Sequence, residues 1–180
     1  MTGSQRSPFK VLVSLAQRYA DNARGLPAQQ DIVATRKVVC FSLLGHNLAL
    51  PLEELVEIIE IPQHTSLPRV KHWVMGMANL RGRLLPVVNL AAFLGGKLSG
   101  SPKTQRVIVI EMLGFFMGLA VDQVQGMRHF KVDTFTRRAD LVPEALVPYA
   151  EGSFVQPDST WVLVRMGQLL SDPRFMEVAA

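Results

Sequence analysis

The chain has 180 residues, 48% of them hydrophobic and 19% charged, with a formal net charge of +4. This is the composition of a folded protein, long enough for one domain or two small lobes, and it excludes general disorder. No apolar run approaches the roughly 20 residues of a bilayer-crossing helix. The amino terminus lacks a signal peptide's apolar stretch and cleavage site, so a cytoplasmic protein is expected.

The positive charge is concentrated at one end. Residues 1–36 carry Arg6, Lys10, Arg18, Arg24 and Arg36 against Asp21 and Asp31, a net +3, which leaves +1 for the remaining 144 residues. A near-neutral body argues against binding a phosphate backbone. The single cysteine, Cys40, lies in an alternating apolar run. With no second thiol it can form neither a disulfide nor a cysteine zinc site, and it reads as core.

In chain order, Ser7-Pro8 suits an N-cap and first helical position. Phe9, Leu12, Val13, Ala16, Tyr19, Ala20 and Ala23 follow at three- and four-residue spacing, which predicts an amphipathic helix of about four turns. Gly25-Leu26-Pro27 ends it, and the polar stretch up to Arg36 reads as a linker. The helix's apolar face suits either packing on the protein's own body or docking to a partner.

From Lys37 the period changes from helical to alternating, and the chain repeats itself. A shift of 69 aligns Val38-Val39-Cys40-Phe41 with Val107-Ile108-Val109-Ile110, Gly45 with Gly114, Glu53 with Asp122 and Leu55 with Val124. A shift of 76 aligns Gly76 with Gly152, Leu85 with Trp161, Val87 with Leu163 and Phe93-Leu94 with Leu169-Leu170. Each copy reads as five short strands and a short helix. The first copy's strands are expected near 37–44, 47–50, 55–61, 76–80 and 83–88. Those of the second are expected near 105–113, 115–120, 124–130, 149–155 and 160–164.

Five short antiparallel strands with one apolar face hide their edges best by closing into a small barrel. The expected fold is therefore mainly β: two small five-stranded barrels, about 37–95 and 105–172, forming one unit over 37–172. A helix and linker over 1–36 precede it, and a tail over 173–180 follows.

The copies differ most at one turn. The first copy has Asn79-Leu80-Arg81-Gly82-Arg83 where the second has Val155-Gln156-Pro157-Asp158-Ser159, without positive charge or closing glycine. Either version would serve to join two strands, so the first turn has a separate role. Asn79 and Gly82 suit backbone angles that a β-branched residue resists.

Other chemistry is sparse. His46, His64, His72 and His129 are scattered without metal-binding spacing. Glu53, Glu54, Glu57 and Glu60 flank or lie in a strand-like stretch and read as solvent-side residues rather than an acid/base pair. Gly95-Gly96 precedes no helix and carries no phosphate-loop lysine, and no serine sits in a nucleophile elbow. No catalytic residue, metal or cofactor is expected. Leu55, Ile58, Ile59, Val74 and Met77 read as core, with any excess apolar surface forming an interface.

Asn79-Leu80-Arg81-Gly82 followed by Leu84-Leu85-Pro86-Val87-Val88-Asn89-Leu90 resembles the signature hairpin of the CheW-like chemosensory adaptors. Leu55-Val56-Glu57-Ile58 and Gly118-Leu119-Ala120-Val121-Asp122-Gln123-Val124 fit the same pattern, and the likeness covers 37–170. Pro8-Phe9-Lys10-Val11-Leu12, Gly25 to Gln30 and Val132-Asp133-Thr134-Phe135 resemble more narrowly the PilI-type adaptors of type IV pilus twitching systems.

The resemblance implies two SH3-like barrels in a non-catalytic coupler of a methyl-accepting chemoreceptor to a CheA-type histidine kinase. Such a coupler is recruited to membrane receptor arrays only through the receptor. By motif, Leu55, Glu57, Ile58 and Gly76 match kinase-facing positions, and Asn79, Arg81 and Val107 match receptor-facing ones. Asn89 stands where the family usually has aspartate, which removes a charge partner for Arg81 or Arg83; Arg165 occupies the equivalent position of the second copy. The alternative is a basic SH3-like-barrel nucleic-acid-binding protein using Arg81, Arg83 and the basic helix. The chain's 7% aromatic content counts against that reading.

Overall fold

The alternation that starts near Lys37 becomes β-structure along most of its length. In the computed structural model, which describes residues 8–21, 34–138 and 141–180, the strands are β1 (Thr35–Leu43), β2 (His46–Pro51), β3 (Leu55–Ile59), β4 (His64–Thr65), β5 (Val74–Leu80) and β6 (Arg83–Asn89). They continue as β7 (Arg106–Met112), β8 (Phe115–Val121), β9 (Gln123–Lys131), β10 (Phe135–Thr136), β11 (Ala150–Gln156) and β12 (Ser159–Val164). All ten expected strands are present. The two-residue strands β4 and β10 are additions that no sequence period of two could announce.

The strands form two six-stranded sheets, ordered β10-β11-β12-β2-β1-β9 and β3-β7-β8-β6-β5-β4. Setting aside β4 and β10, each has five principal strands. The grouping, however, is not the expected one of residues 37–95 against 105–172. The hairpin β1–β2 joins the later strands of the second copy, and β7–β8 joins the later strands of the first. In the first copy β2 ends at Pro51, which has no N–H to extend a ladder, and a 3-10 turn at Leu52–Glu54 carries the chain to the other sheet. Two parallel pairings seal the exchange, Leu48 beside Val162 and Gly118 beside Val87.

Both sheets must curl. Flat, the outer strands of six would lie about 24 Å apart at the usual strand spacing. The chain from Ile59 to His64, which links β3 to β4, spans at most about 17 Å, and from Lys131 to Phe135 about 14 Å. The short links therefore pull each sheet's edges together into a barrel-like form.

Three apolar clusters follow. Phe41, Leu48, Leu50, Val88, Ile108 and Ile110 belong to the large core drawn from both sheets. Phe130, Phe154 and Trp161 dominate the interior of the first sheet. The second sheet's interior is small and aliphatic: Ala78, Leu85, Val87, Val107, Val109 and Ala120. Cys40 is fully buried, as its place in the run predicts.

Short helices close the strands. Asn89 caps α2 (Leu90–Phe93), its Oδ1 accepting from the Ala92 N–H at 2.9 Å. After α3 (Met166–Leu170), Asp172 caps α4 (Pro173–Met176), whose Phe175 stacks on Trp73 with ring centroids 5.3 Å apart. The residues before 34 form a separate unit. Its described part is a 14-residue helix, α1 (Pro8–Asp21), with Phe9, Leu12, Val13 and Leu15 exposed. The expected stop at Gly25-Leu26-Pro27 and the motif up to Gln30 lie outside the described residues.

Candidate functional site

The hairpin β5–β6 turns at Arg81-Gly82, where φ is +52° and +84°. Two consecutive positive φ values make a type I′ turn, whose twist suits a tight hairpin. The left-handed angles thus fall on Arg81 and Gly82, not on Asn79 as expected. Asn79 serves as the brace: its Oδ1 accepts from the Gly82 N–H at 2.8 Å. In the second copy Pro157-Asp158 makes the turn without positive φ, so its tip twists differently and presents no guanidinium.

Alternation decides what lies beneath the turn. Arg83 is in phase with Leu85 and Val87, and Glu111 with Val107 and Val109, so both sit on the interior face of the second sheet where the aliphatic column ends. Arg83 closes that end. Its Nη2 and Nη1 donate to Glu111 Oε1 and Oε2 at 2.8 and 3.1 Å, and its Cζ lies 3.7 Å from the centroid of the Phe116 ring. The hydrogen bond from Arg83 holds the Glu111 carboxyl below its ordinary pKa, and the same bond raises that of the guanidinium.

Arg81 lies 80% exposed at the tip and donates from Nη2 to Glu57 Oε2 at 2.9 Å. Glu57 belongs to β3, an edge strand, and pairs in register with Val109 of β7. A bulge between Leu55 and Glu57 places Val56 outward, 47% exposed, while Leu55, Glu57 and Ile58 are half-buried. The Arg81–Glu57 pair thus joins the turn that carries Asn79 and Arg81 to the edge strand that carries Leu55, Glu57 and Ile58.

Two of the expected site residues have no surface to offer. Val107 is fully buried in the aliphatic column, so any part it has in a contact is indirect. Gly76, at φ +147°, lies under β4, where a Cβ would meet the Thr65 carbonyl oxygen. Its twin Gly152 meets Thr136 in the same way. Both glycines let the two-residue strands approach.

Asn89 is not a lost partner of the arginines. It is at the far end of β6, capping α2, while Arg81 and Arg83 have Glu57 and Glu111. Its counterpart Arg165 does something different, donating from Nε and Nη1 to Glu151 Oε2 at 2.6 Å and Glu54 Oε1 at 3.0 Å. Glu54, expected toward solvent, is 7% exposed and also accepts from the Met166 N–H at 2.9 Å. It ties the inter-sheet turn to the start of α3. Among the described residues no three His, Cys, Asp or Glu side chains converge as a metal site.

The CheW-like domain family matches residues 37–174. The chain belongs to the CheW-like family. It is 41% identical to Protein PilI of Pseudomonas aeruginosa, over 97% of each chain. It is also 34% identical to chemotaxis protein CheW of Thermotoga maritima, over 54% of this chain and 64% of that one. The crystal structure of the scaffolding protein TtCheW from Thermoanaerobacter tengcongensis superposes with a TM-score of 0.69 at 25% identity, covering 78% of this chain and 96% of that one. The CheW-like chain is thus a scaffold or adaptor of the chemotaxis type, with the paired-sheet fold of that family.

Within this CheW-like frame, Phe116 and Glu111, which hold Arg83 beneath the turn, are residues that the sequence pattern did not single out. The signal was available: charges in phase with buried aliphatic residues on two strands mark one end of a barrel interior.

Proposed function

We propose that this CheW-like chain is a non-catalytic adaptor that couples a methyl-accepting chemoreceptor to a CheA-type histidine kinase in a pathway controlling type IV pilus twitching. One observation carries the reading, the ion pair between Arg81 and Glu57. Arg81 and Asn79 occupy the turn that resembles the family's receptor-facing positions. Glu57, Leu55 and Ile58 occupy the edge strand that resembles its kinase-facing ones. The two surfaces meet at one end of one sheet.

The chemistry suits such a role. An exposed guanidinium offers a planar fork of donors to a receptor carboxylate or backbone carbonyl. The free backbone edge of β3, with Val56 and Ile58 beside it, suits an apolar strand of a kinase regulatory barrel. Similarity to Protein PilI over nearly the whole chain supports the pilus pathway. No helix of the described residues is long and apolar enough to cross a membrane, and the adaptor reaches membrane arrays through its receptor from the cytoplasm.

Sedimentation of the purified protein with a receptor cytoplasmic hairpin and the kinase regulatory domain tests the proposal. A three-component complex is expected, and binding to neither partner would overturn it. The nucleic-acid reading loses support from the pairing of both turn arginines with carboxylates. A salt-sensitive shift of labelled single-stranded nucleic acid would restore it.

A further inference from the structure

We infer that Arg83 is a positioning residue that sets the geometry with which Arg81 meets its partner; the inference rests on the adaptor reading for the identity of that partner. Arg81 alone is poorly fixed. Its side chain is 80% exposed, and its pairing with Glu57 is an exposed one of the kind that many thermal conformers satisfy. Something else must hold the turn from which it projects.

Arg83 is placed to do so. It pairs with Leu80 across the two-residue turn, so it is the first residue whose register the turn dictates. Its guanidinium crosses β8 by lying over Phe116 and ends in a two-bond clasp on Glu111 of β7. Glu111 and Phe116 are themselves directly paired across the β7–β8 ladder. Strand β7 also carries β3, and with it Glu57. The hairpin tip is therefore tied twice to the same pair of strands: by Arg83 to β7, and by Arg81 to β3.

A fork bonded through two nitrogens and stacked on a ring has little rotational freedom. With Arg83 held, the type I′ turn follows, and the Arg81 guanidinium is aimed before a partner arrives. Ordering that would otherwise be lost on binding is already present in the free protein. The second copy provides the contrast: Ser159 stands in place of Arg83, its Oγ accepting from Trp161 Nε1 at 3.0 Å. At that end the Trp161 ring lies under the Arg128 guanidinium of β9, 4.7 Å from Cζ to the ring centroid, and the turn itself carries no guanidinium to aim.

A double-mutant cycle tests the inference, using a receptor cytoplasmic hairpin as the probe and calorimetric affinity as the readout. Arg83→Ala should weaken binding about fivefold or more in the native background but less than about twofold in Arg81→Ala, because it acts through Arg81. Arg83→Lys should resemble Arg83→Ala, since a single ammonium reproduces neither fork nor stack. Equal losses in both backgrounds, or no loss in Arg83→Ala, would overturn it. Should the native protein bind no receptor hairpin, the adaptor reading fails, and positioning is read from NMR of the free protein. The residue 80–83 amides and the Arg81 Nε–H group should then lose order in Arg83→Ala, and unchanged order would overturn the inference.

Discussion

Arg81 Nη2 lies 2.9 Å from Glu57 Oε2, joining a hairpin tip to an edge strand across the curled face of one sheet. Being exposed, such a pair contributes about 0.2–1 kcal/mol to stability. Arg81→Ala should therefore lower the unfolding free energy by less than about 1 kcal/mol in urea titration. A loss several times larger would make Arg81 a structural residue and its exposure misleading.

Gly76 leads to the opposite expectation. Its positive φ and the Thr65 carbonyl beneath it leave no room for a methyl group, so Gly76→Ala should cost more than about 1 kcal/mol. Thermal unfolding checks this, and Gly152→Ala should behave alike because Thr136 confronts its Cβ position. Unchanged melting temperatures would show that β4 and β10 are not held as described.

Much of this was legible in the sequence, and the illegible parts share a cause. Strand periods and the shift of the chain on itself located all ten principal strands, because alternation reports which face is buried. They did not reveal that β1–β2 crosses to the strands of the second copy, since alternation carries no information about which edge a hairpin joins. Asn79 and Arg81 were visible as a turn unlike its twin. The role of Glu54 was hidden because its partners Arg165 and Met166 lie more than a hundred residues away. Asn89 looked like a missing charge because its cap on Ala92 depends on where β6 ends.

Glu54 gives a third prediction. It is buried and accepts from both the Arg165 guanidinium and the Met166 N–H. Glu54→Gln keeps an acceptor but removes the charge that faces Arg165. Breaking a largely buried pair costs a few kcal/mol, and with Arg165 30% exposed the loss should be about 2–3 kcal/mol. The urea midpoint reports it, and a change below about 0.5 kcal/mol would show the pair to be incidental.

Cys40 sets an alkaline limit. Burial pushes its thiol up to about 11, with nearby Arg128 opposing in part. The unfolded chain ionises at the ordinary thiol value of about 8.5. A raised folded-state pKa means that stability is fully present below that value and falls as pH rises toward 11. Cys40→Ala should remove this part of the slope between those limits in chemical unfolding, whatever it does to stability at neutral pH. An unchanged slope would place the thiol in contact with water.

The adaptor reading requires that receptor and kinase meet neighbouring but separable surfaces. Co-sedimentation of the receptor hairpin and the kinase regulatory domain with Arg81→Ala and with Val56→Glu measures this directly. Arg81→Ala should lose the receptor and retain the kinase, while Val56→Glu, which places a charge on the exposed edge of β3, should do the reverse. Variants that each lose both partners, or neither, would contradict the account.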